Sequence, residues 1–414
     1  MSFLLNNNAD RIDWEKSVNP YVSRVELIRE GDENGFGGIL SIGLSSGREI
    51  FSIGLPHMYD SRTGPTWAYL FDCEGWTLVD AGAMGAQKTL EEGLAILGRD
   101  IKEIQRLIVT HGHQDLDGNT FDLLRASGAT LWAHPMYFWF LPFEHYQRGL
   151  NEEWPLHRVL LEARKKDTQN HGYGSDENNS SEWMKYYTRY REGRWKIAQG
   201  EFPTRQITED GRENDLHSLE FHYTPGHAVD QICISIDGVL FTGDHILPQI
   251  SPHPTFIQRF PEEDGSITFP GNRDTPESYY GLVRYLRSLG TTLSIGSNVT
   301  VLPAHRLYNH KRLHLRNMSR AGEIIRHHIK RLESGLVAIS IGYDTVEAIV
   351  RKVFPARKLT GGAMFSAMTE VVSHLELLSA CGDIDVTEDG IIRATGSHQF
   401  DTFVANITGT QILA

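Results

Sequence analysis

The 414-residue chain is poor in cysteine, short of basic charge and without long apolar runs. Its three cysteines, Cys73, Cys233 and Cys381, are odd in number and far apart. A disulfide scaffold needs dense, paired cysteines, so this set excludes one and suits a reducing compartment. Lys and Arg number 40 against 53 Asp and Glu, a net charge of −13. Such a surface repels nucleic acid and anionic membrane unless a local basic patch offsets it. No stretch approaches the roughly 18 apolar residues that a membrane helix needs. The opening MSFLLNNNADRIDWEK lacks the basic region and apolar core of a secretory signal. The expectation is a soluble, cytoplasmic protein with no membrane partner. Apolar residues at 40% and charged residues at 22% argue against extended disorder. At roughly 150 residues per domain, the length suggests two to three domains.

What the chain does have is histidine, 19 in all. It also has an α/β rhythm. Residues 21–82 read as short glycine-punctuated strands: YVSRVELI, GGILSIGL, REIFSIGL, TWAYLFDC and GWTLVDAG. A helix is expected over 85–98, then a buried strand at RLIVT, a helix around FDLLRASG and the strand ATLWAHP. Residues 136–215 change character. They are rich in aromatics and broken by the polar NHGYGSDENNSS at 170–181, which reads as a helical insertion with a mobile loop. Its aromatics suit a small core of their own, or a lid and substrate wall drawn from 136–200. Strands resume at SLEFHYTPGH, QICISIDG, VLFTGDH and TVLPAH, with a helix over 276–289 that has Pro276 in its first turn. From 316 three helices are expected, near 317–333, 344–354 and 362–380. A hairpin follows, with Asp389-Gly390 as its turn signal. Three helices and a β wing suggest a winged-helix-like domain at 316–414 behind a catalytic domain at 1–315.

The chemistry gathers where apolar strands meet loops. In THGHQDLDGN, His111, His113 and Asp115 are spaced so that their side chains can share one side of an extended loop. TPGH ends in His227, FTGDH places Asp244 at a strand tip, and LPAH does the same for His305. A long-range His/Asp set without cysteine points to a hydrolytic metal centre rather than a structural zinc site.

The order HxHxD, TPGH, GD and PAH, preceded by VDAG at 79–82, resembles the metallo-β-lactamase superfamily over roughly 50–310. The resemblance implies an αβ/βα sandwich of two mixed sheets with the metals at one edge. It implies that His111, His113 and His227 hold one ion, that Asp244 bridges, and that Asp115 and His305 serve a second. Asp80 would orient the metal loop. The segment FTGDHILPQISP and the carboxy-terminal helices further resemble the lactamase-beta-2-like hydrolases, a subgroup with a winged-helix appendage that includes thioesterases and nucleases. Zinc is the expected metal, one ion or two, and a His/Asp shell also suits iron or manganese.

The sequence departs from the family motif HxHxDH at Leu116, which cannot ligate, so the second site is expected to lose an imidazole. Asp117, His245 and His253 are candidates to replace it. With the second site empty, Asp115 becomes a candidate catalytic base. Motif five ends His305-Arg306 rather than His-Gly.

The expected chemistry is cleavage of an ester, a thioester such as an acyl-CoA, or a related activated carbonyl. Zinc lowers the pKa of its bound water to about 7, which supplies hydroxide at neutral pH. A small acyl molecule is thus the expected partner, and a docking appendage also suits a homo-oligomer. A nuclease using the same centre is the alternative, and a protein with a degenerate site is another. Nucleic acid is disfavoured. The third carboxy-terminal helix has no Lys or Arg, and from 319 onward nine Lys and Arg face eleven Asp and Glu.

Overall fold

The amino-terminal strand signals build a nine-stranded sheet in the computed structural model, which describes residues 10–11, 18–57, 63–142, 154–170, 177–207, 216, 218–255, 281–359 and 363–409. Its strands run in chain order: β1 (Asp10–Arg11), β2 (Val22–Arg29), β3 (Ile39–Leu44), β4 (Glu49–Leu55), β5 (Thr66–Asp72), β6 (Trp76–Val79), β7 (Ile104–Ile108), β8 (Thr130–Ala133) and β9 (Thr204–Gln206). Pairing is antiparallel up to β6 and parallel from β6 through β9. A second sheet holds β10 (Glu220–Tyr223), β11 (Ile232–Ile236), β12 (Val239–Gly243), β13 (Thr300–Pro303) and β16 (Arg316–Asn317). A small hairpin of β14 (Tyr308–Asn309) and β15 (Arg312–Leu313) intervenes.

The period of two in strand β5 shows how the layers are fixed. Trp67, Tyr69 and Phe71 point into the core between the sheets, whereas Ala68 and Leu70 point to the outer core. Between the sheets Phe241 of β12 stacks on Phe71 and meets Tyr69, both at 5.1 Å between ring centroids. The outer face of the first sheet is covered by α1 (Gln87–Ile96) and α3 (Thr120–Ser127), through Leu90, Leu94, Leu123 and Leu124. The short α2 (Gln114–Asp117) lies between those two helices in sequence. The outer face of the second sheet is covered by α7 (Gly281–Leu293). The expected αβ/βα sandwich is therefore the architecture found.

The insertion holds α4 (Pro135–Phe140), α5 (Pro155–Asn170) and α6 (Glu177–Ala198). Two expectations are corrected here. Helix α6 starts inside the polar stretch expected to be a loop, and within the otherwise helical insertion Thr204–Gln206 form strand β9, paired with β8. Pro276 lies outside the described residues, and α7 runs to Leu293, beyond the expected end.

The carboxy-terminal helices are α8 (Ser319–Ser340), α9 (Val346–Val353), α10 (Ala363–Ala380) and α11 (Phe400–Thr408), with a hairpin of β17 (Ile384–Val386) and β18 (Ile392–Ala394) before the last. Gly390 has a φ of +78° in the hairpin loop, where a glycine is unstrained. Helix α11 was not expected. It packs on α7 where Gly290 lets it in: a Cβ there would sit 2.4 Å from the Thr408 carbonyl oxygen. One hydrophobic cluster runs from Leu240 and Val301 of the second sheet through Tyr285 and Leu286 to Ile324, Ile349, Val372 and Val404. The packing is thus continuous across residue 316. Among the described residues no helix is long and apolar enough to cross a membrane.

Candidate metal centre

Parallel pairing places the motif residues on one edge of the sandwich. β6 and β7 end side by side at Asp80 and the loop carrying His111 and His113, and β12 and β13 end side by side before Asp244 and His305. The β12 end also needs Gly243, at a φ of +48°, because a Cβ there would lie 2.5 Å from Thr110 Oγ1. His227 follows β10, and Asp115 sits on α2.

The structure gathers the ligand candidates into two groups of three, each with ligand atoms within 4.8 Å of one another. The first is His111, His113 and His227, the set that the family resemblance implies for one ion. The second is Asp115 and His305 with His57, which sequence reasoning missed. His57 lies two residues beyond β4. The available signal was a histidine just past the end of an apolar strand, the setting shared by Asp244 and His305. The three residues considered as replacements for the missing imidazole do other work. Asp117 accepts from Tyr190 Oη and Arg194 Nη1, both at 2.7 Å. His245 is buried against Thr292, and His253 bonds to α10. Where Leu116 leaves the second group without an imidazole, His57 stands beside Asp115 and His305 from the end of another strand. Leu116 is fully buried, and its carbonyl accepts from Ala81 and Gly82 N–H groups.

The nitrogen atoms of the first group identify what belongs between them. His227 donates Nδ1–H to the His253 carbonyl at 2.9 Å, and His111 donates Nδ1–H to Thr110 Oγ1 at 3.3 Å. Each then presents an Nε2 lone pair to His113 Nδ1, at 3.1 and 2.9 Å. A single proton on His113 Nδ1 can serve only one of them, so at least one contact sets lone pair against lone pair. A cation at the shared focus resolves that conflict. In the second group His305 donates Nδ1–H to the Pro65 carbonyl at 3.0 Å and turns Nε2 to Asp115 Oδ2 at 3.1 Å. His57 Nε2 lies 3.1 Å from Thr66 Oγ1, whose proton goes to the Asp115 carbonyl. Such outer bonds fix ring orientation and tautomer around metals. Asp244 stands between the groups, with Oδ2 3.5 Å from His227 and Oδ1 3.5 Å from His305. Its Oδ1 is buried and accepts no hydrogen bond from the described residues. A buried carboxylate oxygen without a donor is costly unless it meets a cation. The donor set therefore fits a divalent ion in each group, with Asp244 shared.

Burial and neighbouring charges act differently on the individual groups. Burial, with His113 and His227 adding, holds His111 neutral, well below its usual range. Burial and then His305 lower His57 to about 4. Burial opposes charge on His305, but Asp244 and Asp115 outweigh it and push His305 up to about 9. Burial likewise raises the Asp80 carboxyl to about 8, against the Thr110 bonds. Asp80 takes a φ of +62° and accepts from Thr110 N at 2.8 Å and Thr110 Oγ1 at 3.0 Å, which ties the metal loop to β6. Arg306 follows His305 at a φ of +63°, a conformation glycine adopts freely. A cavity of about 1020 Å³ opens elsewhere, between α5, α10 and the hairpin, and none of the ligand candidates lines it.

A four-layered αβ/βα sandwich with paired His/Asp groups at one edge defines a class of metal-dependent hydrolases. The sequence of residues 61–296 matches the model of the metallo-beta-lactamase superfamily, so the chain belongs to that superfamily and is an enzyme of this class. No curated protein matches the sequence. The fold is similar to a metallo-beta-lactamase family protein from Thermus thermophilus, at 21% identity and a TM-score of 0.53 over 83% of this chain and 98% of that one. A beta-lactamase domain protein from Burkholderia ambifaria is similar at 21% identity and a TM-score of 0.57, over 86% of this chain and 93% of that one.

Proposed function

We propose that the chain hydrolyses an ester or thioester of a small acyl compound, with two zinc ions in the groups described. The observation that carries the reading is Asp244 Oδ1, buried without a donor between two sets of converging ligands. His111, His113 and His227 would hold the first ion. Asp115, His305 and His57 would hold the second, and Asp244 would face both. Bound there, zinc supplies Lewis acidity that brings the pKa of water to about 7. The chain's own part is orientation. The His253, Thr110 and Pro65 oxygens fix the tautomers of His227, His111 and His305. Asp115 is a ligand in this arrangement, and a free base only in an enzyme whose second group stays empty. The acidic surface supports a small acyl substrate over a nucleic acid.

The test is metal content per chain by inductively coupled plasma mass spectrometry, joined to an acyl-thioester panel and an RNA panel. Two zinc equivalents with thioester or ester turnover are expected. Absence of metal, with no uptake from added zinc, overturns the reading, and turnover of RNA alone replaces it with the nuclease.

A further inference from the structure

The segment 244–255 begins at Asp244 and ends beside the first ligand group. The carboxy-terminal helices hold it at three points. Arg320 of α8 donates Nε–H to the Leu247 carbonyl at 2.8 Å and Nη2–H to the Ile250 carbonyl at 3.1 Å. His253 places Nε2 3.0 Å from the Ser366 carbonyl and 3.0 Å from Thr369 Oγ1, both on α10. The carbonyl of the same residue accepts Nδ1–H of His227. An unbroken line of bonds therefore runs from α10 through the His253 ring and backbone to His227 Nε2. Bonds of this outer kind typically govern metal affinity by roughly 10- to 100-fold.

We propose that the carboxy-terminal helices are part of the metal-binding apparatus, with His253 as the positioning residue that couples the seating of α10 to ion binding by His111, His113 and His227. The inference rests on the metal reading of that group. Coupling is reciprocal: if α10 raises affinity for the ion, the ion must steady α10.

The experiment uses the full chain, stripped with chelator and reloaded with zinc, in wild type and in His253→Ala, His253→Gln, Thr369→Val and His111→Ala. Two quantities are read: zinc affinity by competition with a chromophoric chelator, and amide hydrogen exchange of residues 363–380 with and without zinc. His253→Ala is expected to weaken the tighter zinc equivalent by roughly 10- to 100-fold. His253→Gln, whose amide can still donate to Ser366, is expected to recover part of it. Thr369→Val, which keeps the shape and removes the hydroxyl, is expected to cost less. Zinc is expected to slow exchange along α10 in the wild type and to do so less in His253→Ala. If His253→Ala does not fold, Thr369→Val and the wild-type exchange carry the test. A lowered melting temperature with unchanged zinc affinity, or exchange in α10 that ignores zinc, overturns the coupling. His111→Ala separates the two failures. If it also leaves zinc binding intact, the metal reading itself is wrong; if it abolishes the tighter equivalent while the His253 and Thr369 variants do not, only the coupling is.

Discussion

The two ligand groups differ in how they are assembled and in what backs them. The first takes two of its three ligands from one loop, His111 and His113, and is backed through His253 by the carboxy-terminal helices. The second draws one ligand from each of three places: past β4, on α2 and past β13. It is backed through α2, whose Asp117 accepts from Tyr190 and Arg194 of the insertion. A metal shell demands donors in space, not in a motif, so a strand end that points the right way can supply what the motif lost. The loss at Leu116 changes the group's origin and not its number of donors.

The comparison breaks most severely at its shared premise. His111→Ala removes a buried member of the proposed ligand set and leaves His113 and His227 facing a depleted site. The expected loss of turnover exceeds the roughly 10- to 100-fold that a missing outer bond costs. The tighter zinc equivalent should disappear with it, as read by metal analysis. Next in size is the backing of the second group. Arg194 and Asp117 are both buried, and the pair is held at 2.7 Å. Arg194→Met breaks this buried ion pair, which costs about 3–5 kcal/mol. Arg194→Met with Asp117→Leu should recover much of that in denaturant unfolding. Equal midpoints for the single and the double variant would remove the insertion from the backing of α2.

These residues also show how far the sequence could be read. Strand periodicity made the strands legible, while the sandwich and the first group came from the family resemblance that the ordered motifs carry, since those residues lie at strand ends. Asp244 and His305 were legible for the same reason. His57 was not, since a single histidine in LPHM has no partner nearby in sequence and becomes a ligand only once β4 and β13 are placed. The start of helix α6 was missed because Asn178 to Ser181 are weak helix formers that the rest of the helix carries. The role of His253 was illegible for a further reason: it acts through a backbone carbonyl, which no residue type reports.

His57→Ala tests whether the second group truly depends on the borrowed ligand. Metal content is expected to fall from two equivalents to one, with the first retained, and turnover to drop by about 10-fold or more. Thr66→Val should give a weaker version of the same change, because the Thr66 hydroxyl links His57 to the Asp115 carbonyl. Two retained equivalents in His57→Ala would mean that Asp115, His305 and Asp244 suffice, and the two groups would then differ in donor number after all.

The smallest effect concerns acid. The backing of the second group is a guanidinium and a carboxylate, whereas that of the first passes through helices that bury neutral histidines. His328 donates Nδ1–H to His374 Nε2 at 3.1 Å, and His374 donates Nδ1–H to the Glu370 carbonyl at 2.7 Å. Burial lowers His374 to about 4, against the pull of Glu370. It lowers His328 as well, with His374, His327 and Arg331 adding. A histidine held neutral in the fold and free to protonate near 6.5 when unfolded binds more protons in the unfolded state. Its stabilising contribution is therefore complete above pH 6.5 and lost as pH falls towards 4, by ~3 kcal/mol for a shift of this size. His374→Gln can keep the acceptor for His328 but cannot titrate. In metal-free protein, where the ligand titrations are common to both chains, the variant should lose less stability than wild type between pH 7 and 4.5, measured by urea midpoints. Parallel pH slopes would show that His374 adds nothing to the acid sensitivity of the carboxy-terminal helices, and the contrast between the two backings would reduce to geometry.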